Sequence, residues 1–111
     1  PYSSLKMNIL FICSRNEWRS RTAESIFSES ETHVVRSAGT ASSARVKLSE
    51  PMLLWADMVF CMEDEHKKIL KKRFPTATRD QRIIVLHIED EYKYMDPSLV
   101  EELLDTTAPY F

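Results

Sequence analysis

Glycine occurs once in this 111-residue chain, cysteine twice and histidine three times, and neither sign of charge prevails, the formal net charge being −2. With so little net charge there is no global reason to expect nucleic acid or an acidic membrane surface as a partner. No apolar stretch approaches the roughly 20 residues that span a bilayer, and no secretory signal pattern is visible, so no membrane association is expected. Two cysteines far apart, Cys13 and Cys61, are too few for a disulfide framework; they point to a reducing compartment, with the cytoplasm as the expected location. His33, His66 and His87 share no ligand spacing, so neither a metal nor another cofactor is expected. With Gly39 the only glycine, a loop that needs left-handed backbone must find it elsewhere, and asparagine tolerates that conformation best.

What is present is an apolar fraction of 43%, enough for one compact core at the small end of α/β enzymes. Residues 1–6 precede a Met that reads as a natural start and are expected to be an appended or disordered tail, leaving 7–111 as a single domain. Apolar runs alternate with helical patterns. Met7 to Ile12 reads as a strand, followed by a helix from near Ser20 with Ala23, Ile26 and Phe27 at helical spacing. His33 to Arg36 reads as a second strand closed by Gly39. Ser49-Glu50-Pro51 opens a short helix, Asp57 to Met62 forms a third strand, and Asp64 to Arg73 a helix ended by Phe74-Pro75. Its residues His66, Lys67, Lys68, Lys71, Lys72 and Arg73 read as a solvated basic face. Arg82 to Ile88 is nearly continuous in apolar residues, as expected of a strand buried on both faces. Asp96-Pro97 starts a last helix, Asp96 as N-cap, with Leu99, Val100, Leu103 and Leu104 on its buried side. Such alternation implies a parallel sheet covered by helices on both faces, a three-layer α/β sandwich.

The chemistry concentrates at the end of the first strand: Cys13-Ser14-Arg15-Asn16-Glu17-Trp18-Arg19-Ser20. A strand delivers a thiol to the carboxyl edge of the sheet, and a helix starts a few residues later. The loop between them is long enough to wrap a tetrahedral anion. Backbone N–H groups, the helix N-terminus and the two-pronged Arg19 guanidinium would all face that anion. The same field favours a thiolate at Cys13, and thiolates are nucleophiles.

Cys13, Asn16, Arg19, Ser20, Ala23 and Glu24, with Ser37-Ala38-Gly39-Thr40 after the second strand and Asp57 to Met62 at the third, together resemble the low-molecular-weight protein tyrosine phosphatases. This chain reads as a short, divergent member. The resemblance implies a four-stranded, flavodoxin-like sheet in the order 2-1-3-4. It also implies a metal-independent phosphomonoesterase acting through a phosphocysteine intermediate on a phosphorylated protein, above all phosphotyrosine, or on a small aryl phosphate. Inorganic phosphate would be product and inhibitor. Cys13 would be the nucleophile, Arg19 the transition-state clamp, and residues Ser14 to Ser20 the phosphate-binding loop. Asn16 and Ser37 would support that loop by bonding each other, and Ser20 would donate to the Cys13 thiolate or cap the helix.

Two aspartates compete as general acid. Asp90 directly follows the fourth apolar run; Asp96-Pro97 matches the family dipeptide more literally but fits a helix cap, so Asp90 is preferred and Asp96 is the alternative. Tyr92 and Tyr94 are expected to wall the pocket. Arg15, Trp18 and Arg21 depart from the family pattern, and Glu17 subtracts positive potential. Two other functions stand beside the phosphatase: a phosphate- or phosphotyrosine-binding regulatory domain that kept the loop but lost turnover, and a thiol-dependent arsenate reductase, which would need Cys61 as relay.

Overall fold

The computed structural model describes residues 6–111, so the expected tail at 1–6 lies almost wholly outside the described residues. Four parallel strands, β1 (Met7–Cys13), β2 (His33–Gly39), β3 (Met58–Cys61) and β4 (Ile83–Val85), form one sheet in the order β2-β1-β3-β4. This is the order the resemblance implied. The helices are α1 (Arg19–Ile26), α2 (Glu50–Trp55), α3 (Asp64–Arg73), the single-turn α4 (Pro75–Thr78) and α5 (Pro97–Thr107). No helix among the described residues is long and apolar enough to cross a membrane.

Strand residues of β1 and β3 are buried in succession because each face of the sheet is covered. Ile9, Phe11 and Cys13 join Met58, Phe60 and Met62 on one face, where Ala23 of α1 and Leu99 and Leu103 of α5 close the core. Leu10, Ile12, Val59 and Cys61 point to the other face, against Leu53 of α2 and Leu70 of α3. Phe11 stacks on Phe60 with ring centroids 5.1 Å apart, an offset arrangement that adds to the burial of both rings. Strand β1 therefore sits in the middle of the sheet, next to the reversal in strand order, and its carboxyl end opens the crevice in which such folds bind ligands.

Three local expectations are corrected. The run from Arg82 to Ile88 forms a strand of only three residues, all half-buried, because β4 is an edge strand with one neighbour and the chain turns left-handed at His87, φ 58°. Leu86 and Ile88 are still buried, their N–H groups bonding Cys61 O and Met62 O beyond the regular ladder. On α5, only Leu99, Leu103 and Thr107 are buried. A stripe repeating every four residues suffices against a neighbour on one side, so Val100 is half-buried and Leu104 is exposed. On α3, His66 belongs to the buried stripe with Leu70, not to the basic face.

Candidate active site

The loop leaves β1 at Cys13, whose side chain is buried at the inner end of a cavity of about 60 Å³. That cavity is lined by Cys13, Ser14, Arg15, Glu17, Trp18, Arg19 and Asp90. Asn16 carries the left-handed turn, φ 58°, the role left to it by the shortage of glycine. Its N–H donates to Cys13 Sγ at 3.2 Å. Its side-chain Nδ2 donates to Ser20 Oγ at 2.7 Å, and Ser20 Oγ lies 2.9 Å from Cys13 Sγ. Because the Ser20 oxygen already accepts from Asn16, its own hydrogen is left to donate, and of its two acceptors, the sulphur at 2.9 Å and Ala38 O at 3.5 Å, the sulphur is the nearer. Two donors thus converge on Cys13, an arrangement that supports negative charge there. Helix α1 is capped by Trp18 rather than Ser20, so the Ser20 hydroxyl serves the thiol and not the helix end.

Arg19 is buried, yet its guanidinium faces the cavity. Nη1 donates to Glu63 Oε1 at 2.5 Å and to Ile88 O at 2.9 Å. Nε stands 3.7 Å from Asp90 Oδ1. One edge of the guanidinium is thereby anchored to the chain following β3 and β4. Glu63 was not among the residues singled out from sequence. Its position just past the end of a central strand is the signal that would have found it, since carboxyl ends of central strands are where such sheets place function.

The segment after β4 is strapped down on both sides of Asp90. Arg19 holds Ile88 O, and Met95 N donates to Thr22 Oγ1 of α1 at 2.9 Å. Asp90 is about half exposed at the cavity mouth. Asp96 is engaged as the N-cap of α5, accepting from Ser98 N at 2.8 Å, and does not line the cavity.

Other predicted positions move. Ser37 Oγ donates to Glu24 Oε1 on α1 instead of bonding Asn16, whose Nδ2 donates to Ser20 Oγ and whose Oδ1 is buried with no partner among the described residues. Loop support comes instead from the 41–48 segment: Arg45 N donates to Arg15 O at 2.9 Å and Arg45 Nε to Asn16 O at 3.1 Å. Neither Tyr92 nor Tyr94 walls the cavity. Glu102 on α5 accepts the Tyr92 hydroxyl at 2.8 Å and pushes its pKa up to about 12, while Tyr94 bonds Ser25 Oγ and lies under Arg21. The aromatic wall is Trp18, 40% exposed. Arg15 and Glu17 lie on the rim 3.8 Å apart, so the acidic side chain is partly offset by its neighbour. Cys61 is fully buried in β3 and pushed up to about 12 by that burial. It packs in the core on the opposite face of the sheet from Cys13, which removes the geometry for a thiol relay.

Burial, and then the Arg19 guanidinium, hold His66 below the ordinary imidazole range, with Glu63, Glu65 and Asp90 opposing. The unfolded chain takes up a proton at His66 near pH 6.5, whereas the folded chain does so only at lower pH. Between those values the unfolded state binds more protons, so this group's stabilising contribution is full above the unfolded value and is lost as pH falls through the folded one. The urea midpoint of the wild-type protein should therefore drop on acidification below about pH 6.5, and His66→Gln should flatten that decline. An equal decline in both proteins would refute the assignment.

No protein-family model matches this sequence, and no curated protein matches it. Solved structures do match its fold. The tyrosine phosphatase Wzb from Escherichia coli K30 in complex with phosphate has a TM-score of 0.74 at 20% identity, over 96% of this chain and 96% of that one. Vibrio vulnificus Wzb in complex with benzylphosphonate has a TM-score of 0.76 at 18% identity, over 96% and 97%. The YwlE arginine phosphatase from Geobacillus stearothermophilus has a TM-score of 0.70 at 20% identity, over 92% and 86%. This chain thus has the fold of the low-molecular-weight phosphatases, and the resemblance read from the sequence extends to nearly the whole domain.

Proposed function

We propose that this chain is a cysteine-dependent phosphomonoesterase of the low-molecular-weight type, acting on protein phosphotyrosine or another aryl phosphate. The observation that carries the reading is the convergence of Ser20 and the Asn16 N–H on Cys13 Sγ at the inner end of a cavity that Arg19 and Asp90 also line. Ser14 and Arg15 line the same cavity, and Trp18 offers an aromatic face in it.

In the first step Cys13 sulphur attacks phosphorus as the ester P–O bond breaks, and Asp90 gives its proton to the departing oxygen. Arg19, held on one edge by Glu63 and Ile88, presents Nε and the remaining amino group to two equatorial oxygens and stabilises the charge that grows there. In the second step water attacks phosphorus, its proton passes to Asp90, and the P–S bond breaks. The Ser20 hydrogen then stabilises the departing thiolate. The expected chemistry needs no metal because the chain supplies both nucleophile and acid.

Hydrolysis of para-nitrophenyl phosphate with reductant, inhibited by phosphate or vanadate, tests the reading; phosphate binding without turnover would instead assign the chain to the regulatory-domain class. Phosphotyrosine and phosphoarginine peptides compared side by side test the substrate class. The two aspartates separate by what they lose. Asp90→Asn is expected to lower kcat by about 100- to 1,000-fold with the unfolding transition unchanged. Asp96→Ala should cost about 1 kcal/mol of stability as a lost cap and leave kcat close to wild type. The opposite pattern would transfer the acid role to Asp96.

A further inference from the structure

His66 lies on α3, fifty-two residues from the loop it touches, and takes no part in the steps above. Its ring nevertheless joins two parts of the site. Glu63 N donates to His66 Nδ1 at 3.1 Å, which fixes Nδ1 as the acceptor and leaves the ring proton on Nε2. Nε2 lies 2.9 Å from Ser14 Oγ. The Glu63 side chain completes a capping box at the start of α3 and also holds Arg19. Ser14, the residue after the nucleophile, lines the cavity.

We propose that His66 is a positioning residue for the phosphate site: by donating from Nε2 to Ser14 Oγ it turns the Ser14 hydroxyl hydrogen into the cavity, making that side chain a donor to a phosphoryl oxygen. A serine hydroxyl has one hydrogen, and an oxygen already accepting from His66 is left to donate. This rests on the phosphate-site reading of the cavity. The same ring registers acid. A proton on Nδ1 would set two donors, Nδ1–H and Glu63 N–H, against each other and open the capping box that steadies Glu63, hence Arg19. The charged groups facing His66 are Arg19 from α1, Asp90 from the segment after β4, and Glu63 and Glu65 at the start of its own helix.

Sulfate is a suitable probe because its charge is constant across the working range and its binding is read without turnover. Ser14→Ala and His66→Leu are each expected to weaken sulfate about 10-fold at neutral pH, and the double variant to bind no more weakly than either. His66→Gln, whose amide nitrogen reaches the Nε2 position, should retain most of the affinity. On acidification, wild-type affinity should fall with the titration of His66 followed by its own nitrogen shifts, and His66→Gln should lack that limb.

Additive losses in the double variant would overturn the proposal, as would wild-type affinity in His66→Leu. If His66→Leu does not fold, the nitrogen spectrum of the wild-type imidazole decides: a proton on Nε2 at neutral pH supports the proposal and one on Nδ1 overturns it. Wild-type protein that binds no sulfate or phosphate would take down the phosphate site itself, a result distinct from normal wild-type binding that His66 variants leave untouched.

Discussion

Cys13→Ser is expected to lower hydrolysis of para-nitrophenyl phosphate by about 10,000-fold or more while leaving the fold and the affinity for phosphate nearly intact. A serine hydroxyl is nucleophilic only if a base removes its proton, and the partners of the Cys13 sulphur, the Asn16 N–H and the Ser20 hydroxyl, are both placed to donate. His66, whose ring meets Ser14 next to Cys13, is committed to Ser14 and Glu63. The substituted oxygen would sit among donors with nothing to deprotonate it. Steady-state rates, with phosphate binding measured on the same preparation, check this. Retained turnover in Cys13→Ser would mean that the reaction does not pass through a phosphocysteine.

Gly39→Ala should cost about 3 kcal/mol of stability and impair the site at the same time. Gly39 lies opposite Cys13 in the β1·β2 ladder, and a Cβ there would meet Ser14 O at 2.6 Å and the Ala44 Cβ at 2.7 Å. Its backbone φ is not in the left-handed range, so the need for glycine is one of space. The first obstacle is main chain of the Cys13 loop and cannot swing aside; the second is a side chain that can be removed. Ala44→Gly added to Gly39→Ala should therefore recover only part of the loss. Urea denaturation read beside sulfate affinity separates the outcomes, and a Gly39→Ala protein as stable as wild type would show that the loop yields without cost.

The sheet order followed from the family resemblance, and the elements that frame the Cys13 loop could be read from sequence because they rest on local signals. Apolar β1 runs straight into Cys13, and Asp96-Pro97 carries both a cap side chain and the residue favoured in a first turn. The identity of the loop's left-handed residue was legible for a similar reason: without glycine, Asn16 was the best candidate. What could not be read depends on partners distant in sequence. Whether Ser37 bonds Asn16 or Glu24 turns on where α1 presents its carboxylate. Tyr92 and Tyr94 are drawn from the pocket by Glu102 and Ser25, which only the packing of α5 and α1 brings near. The His66 contact joins α3 to the loop after β1, and a histidine among five lysines and arginines gives no sign that it alone faces inward. The length of β4 depends on its having one neighbour, which composition does not reveal.

The anchoring of Arg19 has a consequence for the order in which the site is assembled as the chain is made. Its two fixed partners, Glu63 and Ile88 O, come from the chain after β3 and after β4, and Asp90 follows Ile88 by two residues. A nascent chain that has emerged only through β2 has its thiol and its loop but neither anchor for the guanidinium nor Asp90. The site is thus complete only once the last strand joins the sheet, and under the proposed function an unfinished or truncated chain would lack both the anchors of its arginine clamp and its acid.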